Sequence, residues 1–186
     1  MDKKLYLIAG ANGSGKTTLA HELLLEEKDL VFLNADEVSA KIGDSIGISS
    51  GKIVLAEISR MLDSHKSFVL ESTISGSHHL RVLKAAKERG YEVNLIYVFL
   101  DAPGLNIARV KYRVQIGGHN VPQADIIRRF HKSIKNFWIT AELADVWKLY
   151  YNGGDDYEEI AAARGNNTTI FNNDIYKKFN EWIENV

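Results

Sequence analysis

The chain has 186 residues, 45% hydrophobic and 25% charged, which suits one globular domain with a core of its own. It has no cysteine, which excludes disulfides, thiolate metal sites, iron–sulfur clusters and cysteine nucleophiles, and its two prolines argue against a hinged multidomain build. The net charge of −1 conceals a bias: residues 105–135 carry seven Lys/Arg against one acid, a local +6 on a remainder of −7. A nucleic-acid coat would make the whole chain basic, whereas one basic element on an acidic body indicates a local task with anions.

Charged residues open the chain (Asp2, Lys3, Lys4), and the apolar run after them stops at glycines, so no signal peptide is read. The longest apolar stretch, Leu95 to Leu100, is far too short for a membrane span, and a cytoplasmic domain is expected. Lys4–Ala9 reads as a buried strand, Lys16–Glu27 as a helix with Leu19, Leu23 and Leu24 on one face, and Leu30–Ala35 as a second strand. Ser50–His65 is an amphipathic helix, Ser67–Thr73 a third strand, and Leu80–Arg89 a helix stopped by Gly90. Val93–Leu100 is the most apolar strand. Two basic helices follow, Leu105–Ile116 and Gln123–Trp138, parted by Gly117-Gly118 and Val121-Pro122. Trp147–Tyr151 and Thr168–Phe171 form a last pair of strands, with a polar loop or nucleotide-base rim from Asn152 to Glu159 between them. Asp174–Glu184 closes the chain as a helix capped by Asn173 or Asp174. Strand–helix alternation predicts a three-layer α/β/α fold around a mostly parallel sheet of five or six strands, with residues 1–186 as one domain and a helical lid at about 104–139.

Gly10-Ala11-Asn12-Gly13-Ser14-Gly15-Lys16-Thr17 matches G-x-x-x-x-G-K-[ST] without a mismatch, between a predicted strand and a predicted helix. Such a loop aims backbone N–H groups at phosphate, and the helix start adds partial positive charge. Lys16 can reach the β- and γ-phosphates, the Thr17 hydroxyl can ligate Mg²⁺, and Thr18 completes the cradle. No N-K-x-D base-reading motif is present, which favours ATP over GTP.

Ligands of doubly wound sheets sit beyond the carboxyl ends of the strands. The first helix runs back roughly 18 Å and the second strand returns about 20 Å, so Asp36 emerges on the side of the glycine loop. There it can take a proton from a substrate hydroxyl, or cap the next helix. Glu71 and Thr73 end the third strand two positions apart and share one face, a ledge suited to a sugar, a nucleoside or the water shell of Mg²⁺. Asp101 suits either a metal-binding aspartate or the turn before Ala102-Pro103. Arg109 and Arg113 share a helix face, and Arg128 and Arg129 lie on the next helix, a pattern expected of a lid closing over phosphates. His119 reads as a hydrogen-bonding loop residue within reach of a substrate.

Together, GANGSGKTT (10–18), LNADEV (33–38), ESTISG (71–76), LDAP with IARVKYRV (100–114) and GGHNVPQADIIRRF (117–130) resemble the zeta-toxin family of P-loop kinases in its compact branch, with a related outline in chloramphenicol phosphotransferases. The resemblance spans about residues 4–140 and implies an ATP- and Mg²⁺-dependent kinase acting on a small-molecule hydroxyl. It makes Asp36 the catalytic base, Glu71 and Thr73 substrate-binding residues, and the lid arginines, Arg129 among them, ligands of ATP phosphates. Founding members phosphorylate the 3′-hydroxyl of UDP-N-acetylglucosamine, which makes a sugar nucleotide the leading acceptor and an antitoxin a possible partner. A nucleotide-dependent switch and a polynucleotide kinase are the alternatives; neither membrane nor nucleic acid is expected as a partner of the preferred reading.

Overall fold

The computed structural model describes residues 3–27, 29–35, 37–38 and 48–185. Its first strand, β1 (Lys4–Ala9), buries both faces. Leu5, Leu7 and Ala9 enter the larger core, while Tyr6 and Ile8 enter a smaller one. A strand apolar on both sides needs cover on both sides, and it takes the middle of the sheet. The sheet order is β2 (Val31–Leu33), β3 (Phe68–Ser72), β1, β4 (Glu92–Phe99), β5 (Val146–Tyr151), β6 (Glu158–Arg164), β7 (Asn167–Ile170). The first five strands are parallel, and β6 and β7 are antiparallel additions at one edge.

The sheet thus has seven strands rather than five or six. The additional one is β6, whose Glu-Glu-Ile-Ala-Ala-Ala sequence carries helix formers and no strand signal. Pairing with β5 and the burial of Ala161 and Ala163, directly across from Leu149 and Trp147, override that local preference. Strand β2 is half the expected length, and the single basic helix expected over Gln123–Trp138 is broken in two at Asn136.

Helix α1 (Lys16–Glu26) covers one face of β1 and β3 through Ala20, Leu23 and Leu24. The other face is covered by α2 (Ile48–Asp63), α3 (His78–Glu88), α5 (Gln123–Lys135), α6 (Phe137–Ala141) and α7 (Asn173–Glu184), all contributing to the larger core. Phe179 of α7 is fully buried among Tyr97, Phe99 and Phe137, with ring centroids 5.0–5.7 Å apart, and this contact fixes the C-terminal helix. The N-cap of α7 is Asn172, one residue before the expected cap, and its side chain accepts from the Ile175 N–H at 3.1 Å. Helix α4 (Pro103–Gln115) shares a small core of Val110, Val121 and Ile126 with the start of α5. Between them Gly117, at φ +91°, ends α4 in the left-handed conformation. No helix among the described residues is long and apolar enough to cross a membrane.

His79 on α3 is buried, and its Nε2 lies 2.9 Å from the Thr140 hydroxyl, which itself donates to the Asn136 carbonyl. Burial, reinforced by neighbouring His78, lowers its pKa to about 4. The folded protein therefore refuses a proton that the unfolded chain accepts below about pH 6.5. Stability should fall as pH drops from about 6.5 towards 4, and this group adds nothing further below that. Urea titrations at pH 7 and pH 5 should show a smaller acid loss in His79→Gln than in the parent; an equal loss would exclude His79 as the origin.

Candidate active site

Strand register brings the site together. Ile8 pairs with Glu71 and Ala9 with Ser72 on one side of β1, while Ala9 pairs with Tyr97 on the other. Leu33 of β2 pairs with Leu70, which sets Asn34 beside Glu71. Beyond β5, the Asn152 N–H donates to the Phe99 carbonyl at 3.0 Å and carries the chain back over the glycine loop. Four strand ends therefore open into one cleft of about 810 Å³, the size class of small-molecule sites.

The glycine loop forms its floor. Asn12, Gly13, Gly15, Lys16, Thr17 and Thr18 line the cleft, while Gly10, Ala11 and Ser14 are buried behind them. Gly15 is at φ +101°, and a Cβ there would stand 2.3 Å from Asn152 Nδ2 and 2.6 Å from the Tyr157 hydroxyl, so only glycine fits. Lys16 is buried; its Nζ donates to the Ala11 carbonyl at 2.9 Å and lies 3.8 Å from Glu71 Oε1.

Glu71 accepts from the Thr17 hydroxyl at 2.8 Å and from Asn34 Nδ2 at 2.9 Å. This carboxylate sits against the helix start, beside the Thr17 oxygen. Thr73 lines the cleft as well, 3.0 Å from the Ser75 hydroxyl, and Ser72 lines it too. The two hydroxyls are brought together by Ile74, a buried β-branched residue at φ +44°. That conformation is strained for isoleucine. Asn136, at the break between α5 and α6, holds it by donating to the Ile74 carbonyl at 2.6 Å. Asp36 lies outside the described residues; Asn34 and Ala35 just before it line the cleft.

Of the seven basic residues in the 105–135 segment, Arg109, Arg113, Arg128 and Arg129 line the cleft. Arg109 donates to the Asn152 carbonyl at 2.8 Å, Arg113 to the His119 carbonyl at 3.1 Å, and Arg129 to Asn12 Oδ1 at 3.3 Å. Arg128 is neutralised by Asp125 at 2.8 Å, and that ion pair holds the Asp125 carboxyl below the usual range. The Arg113 Nε is buried without a partner among the described residues, an unused donor in a cation-lined wall. His119 lines the cleft from the loop between α4 and α5. Asp101 does not: its carbonyl accepts from Trp182 Nε1 at 3.1 Å and its side chain bonds Tyr151, which makes it a turn residue against α7. The sequence reading missed Asn106, Asn152, Tyr157, Ser50 and Ser75. The first three touch the glycine loop, and all but Asn106 line the cleft. Only the polarity of the 152–159 stretch pointed to any of them.

The Zeta toxin family model matches residues 1–175. An uncharacterized protein of Haemophilus influenzae is 30% identical over 132 residues, which cover 69% of this chain and 92% of that protein. Among solved structures, AvrRxo1-ORF1 in its complex with AvrRxo1-ORF2, determined with sulphate ions, superposes with a TM-score of 0.77 at 17% identity, over 96% of this chain. The chain spans 63% of the length of that neighbour, whose complex has also been solved with ATP. The PezAT toxin–antitoxin system of Streptococcus pneumoniae gives a TM-score of 0.67 at 18% identity, over 98% of this chain and 88% of its counterpart. At these identities the structural likeness speaks for the fold, and the family model for descent. The chain belongs to the Zeta toxin family, and its glycine loop and mostly parallel sheet have the fold of P-loop kinases.

Proposed function

We propose that the protein transfers the γ-phosphoryl group of ATP to a hydroxyl of a small molecule, with a sugar nucleotide such as UDP-N-acetylglucosamine as the foremost acceptor. The observation that carries this reading is one cleft shared by a phosphate cradle, a carboxylate beside Thr17, a ledge of hydroxyls and four arginines. The cradle and Lys16 take the triphosphate. The ledge of Thr73 and Ser75, with His119 opposite in the lid, takes the acceptor. Arg109, Arg113 and Arg129 neutralise charge on the phosphates as the phosphoryl group moves. Asp36 follows directly on two cleft-lining residues and acts as the base. The acceptor oxygen forms its bond to the γ-phosphorus, its proton passes to the Asp36 carboxylate, and the bond to the β-phosphate oxygen breaks to release ADP.

Thr17 and Glu71 offer hard oxygen donors and would be the residues that hold Mg²⁺. When bound, the ion would neutralise charge on the β- and γ-phosphates. The structural neighbours are complexes with a second protein, AvrRxo1-ORF2 in one case and an antitoxin in the other. A small antitoxin-type partner belongs to this proposal.

Labelled ATP added to a metabolite extract, followed by mass spectrometry, should reveal a new phosphorylated species that Lys16→Ala fails to make. Asp36→Asn should bind ATP within about twofold of the parent and lose roughly 10²–10⁴-fold in turnover; unchanged turnover would remove Asp36 as base. Glu71→Gln should raise several-fold the Mg²⁺ concentration that gives half-maximal rate. A raised acceptor KM with an unaltered Mg²⁺ profile would instead assign Glu71 to the acceptor.

A further inference from the structure

Four carbonyls of the glycine loop, those of Ala11, Asn12, Ser14 and Gly15, are engaged by side chains, and three of those side chains come from distant parts of the fold. Asn106 Nδ2, on α4, donates to the Asn12 carbonyl at 2.7 Å. Asn152 Nδ2, just past β5, donates to the Ser14 carbonyl at 2.8 Å. The Tyr157 hydroxyl, just before β6, donates to the Gly15 carbonyl at 2.7 Å. Asn106 is fully buried and Asn152 nearly so, and Asn152 and Tyr157 both lie in contact with the Cα of Gly15.

We propose that Asn106, Asn152 and Tyr157 are positioning residues that preset the phosphate-binding face of the loop through the peptide groups they hold. In a planar trans peptide the C=O and the following N–H point in opposite directions. Holding the carbonyls of Asn12, Ser14 and Gly15 outward therefore turns the N–H groups of Gly13, Gly15 and Lys16 inward, where the anion sits. A glycine-rich segment has the freedom to rotate those peptides the other way, and a rotated peptide presents a carbonyl dipole to phosphate. Asn106 and Asn152 remove that freedom before the nucleotide arrives, and Tyr157 reinforces the bond that the Gly15 carbonyl accepts from the Leu19 N–H at 3.2 Å, so binding carries less ordering cost. Arg109 donates to the Asn152 carbonyl at 2.8 Å, which ties a lid arginine to the same brace.

The inference rests on the loop being the triphosphate site, and the test separates the two. Isothermal titration of the full chain with ATP and with inorganic triphosphate, which lacks base and ribose, is run on the parent, Lys16→Ala, Tyr157→Phe, Asn152→Ala and the Tyr157→Phe/Asn152→Ala pair, beside unliganded melting curves. Tyr157→Phe deletes one hydroxyl and should weaken both ligands about five- to tenfold. Asn152→Ala should do at least as much, and the pair more than either. Equal affinities in parent and variants overturn the proposal while leaving the nucleotide site intact. A loss for ATP alone means contact with base or ribose and overturns it too. A lowered melting temperature with unchanged affinity reduces the residues to fold stability. A parent that binds neither ligand overturns the inference together with the reading beneath it.

Discussion

A loop that points successive N–H groups at an anion must leave its carbonyls on the other side, and buried carbonyls require partners. That constraint organises this molecule. The partners of the Gly10–Lys16 turn come from Lys16 itself, from α4, and from both ends of the connection between β5 and β6. The sheet must therefore extend past β4, and the chain must return over the loop, before the cradle has its shape. The edge hairpin of β6 and β7 positions no catalytic group, but β6 fixes the far end of the segment that carries Tyr157.

Charge is arranged around the same point. Glu71 stands 3.8 Å from the Lys16 ammonium and accepts from the Thr17 hydroxyl, so a carboxylate sits at the positive end of α1. Across the cleft, Arg109, Arg113 and Arg129 donate to main-chain or amide oxygens. Neutral acceptors keep the guanidinium charges available to an incoming anion, whereas the carboxylate bonded to Arg128 does not. The basic segment is therefore not one uniform patch. Lys111, Lys132 and Lys135 are exposed away from the cleft-lining set, and the helical spacing of α4 and α5 sorts the cations between them.

The pairing of the Thr73 and Ser75 hydroxyls depends on strain held in place by packing. Ile74 keeps its left-handed backbone because its side chain is buried and its carbonyl is bonded by Asn136. Asn136 ends the helix that carries Arg128 and Arg129, so the ledge and the arginine helix are anchored at one residue.

The sequence by itself determined the glycine loop between strand and helix, the strand–helix alternation, the buried β1 and the two basic helices. All of these are written in local spacing: a motif of eight residues, a period of two or about 3.6, a run of like charges. Tertiary structure alone decided β6, where pairing and burial overruled helix-forming alanines, and the break at Asn136. It also decided the turn role of Asp101 and the assignment of Asn106, Asn152 and Tyr157 to the cradle. Their partners lie 94 to 142 positions away along the chain. An asparagine or tyrosine that bonds a distant carbonyl carries no periodicity and no motif; only the approach of the two chain segments gives it a task.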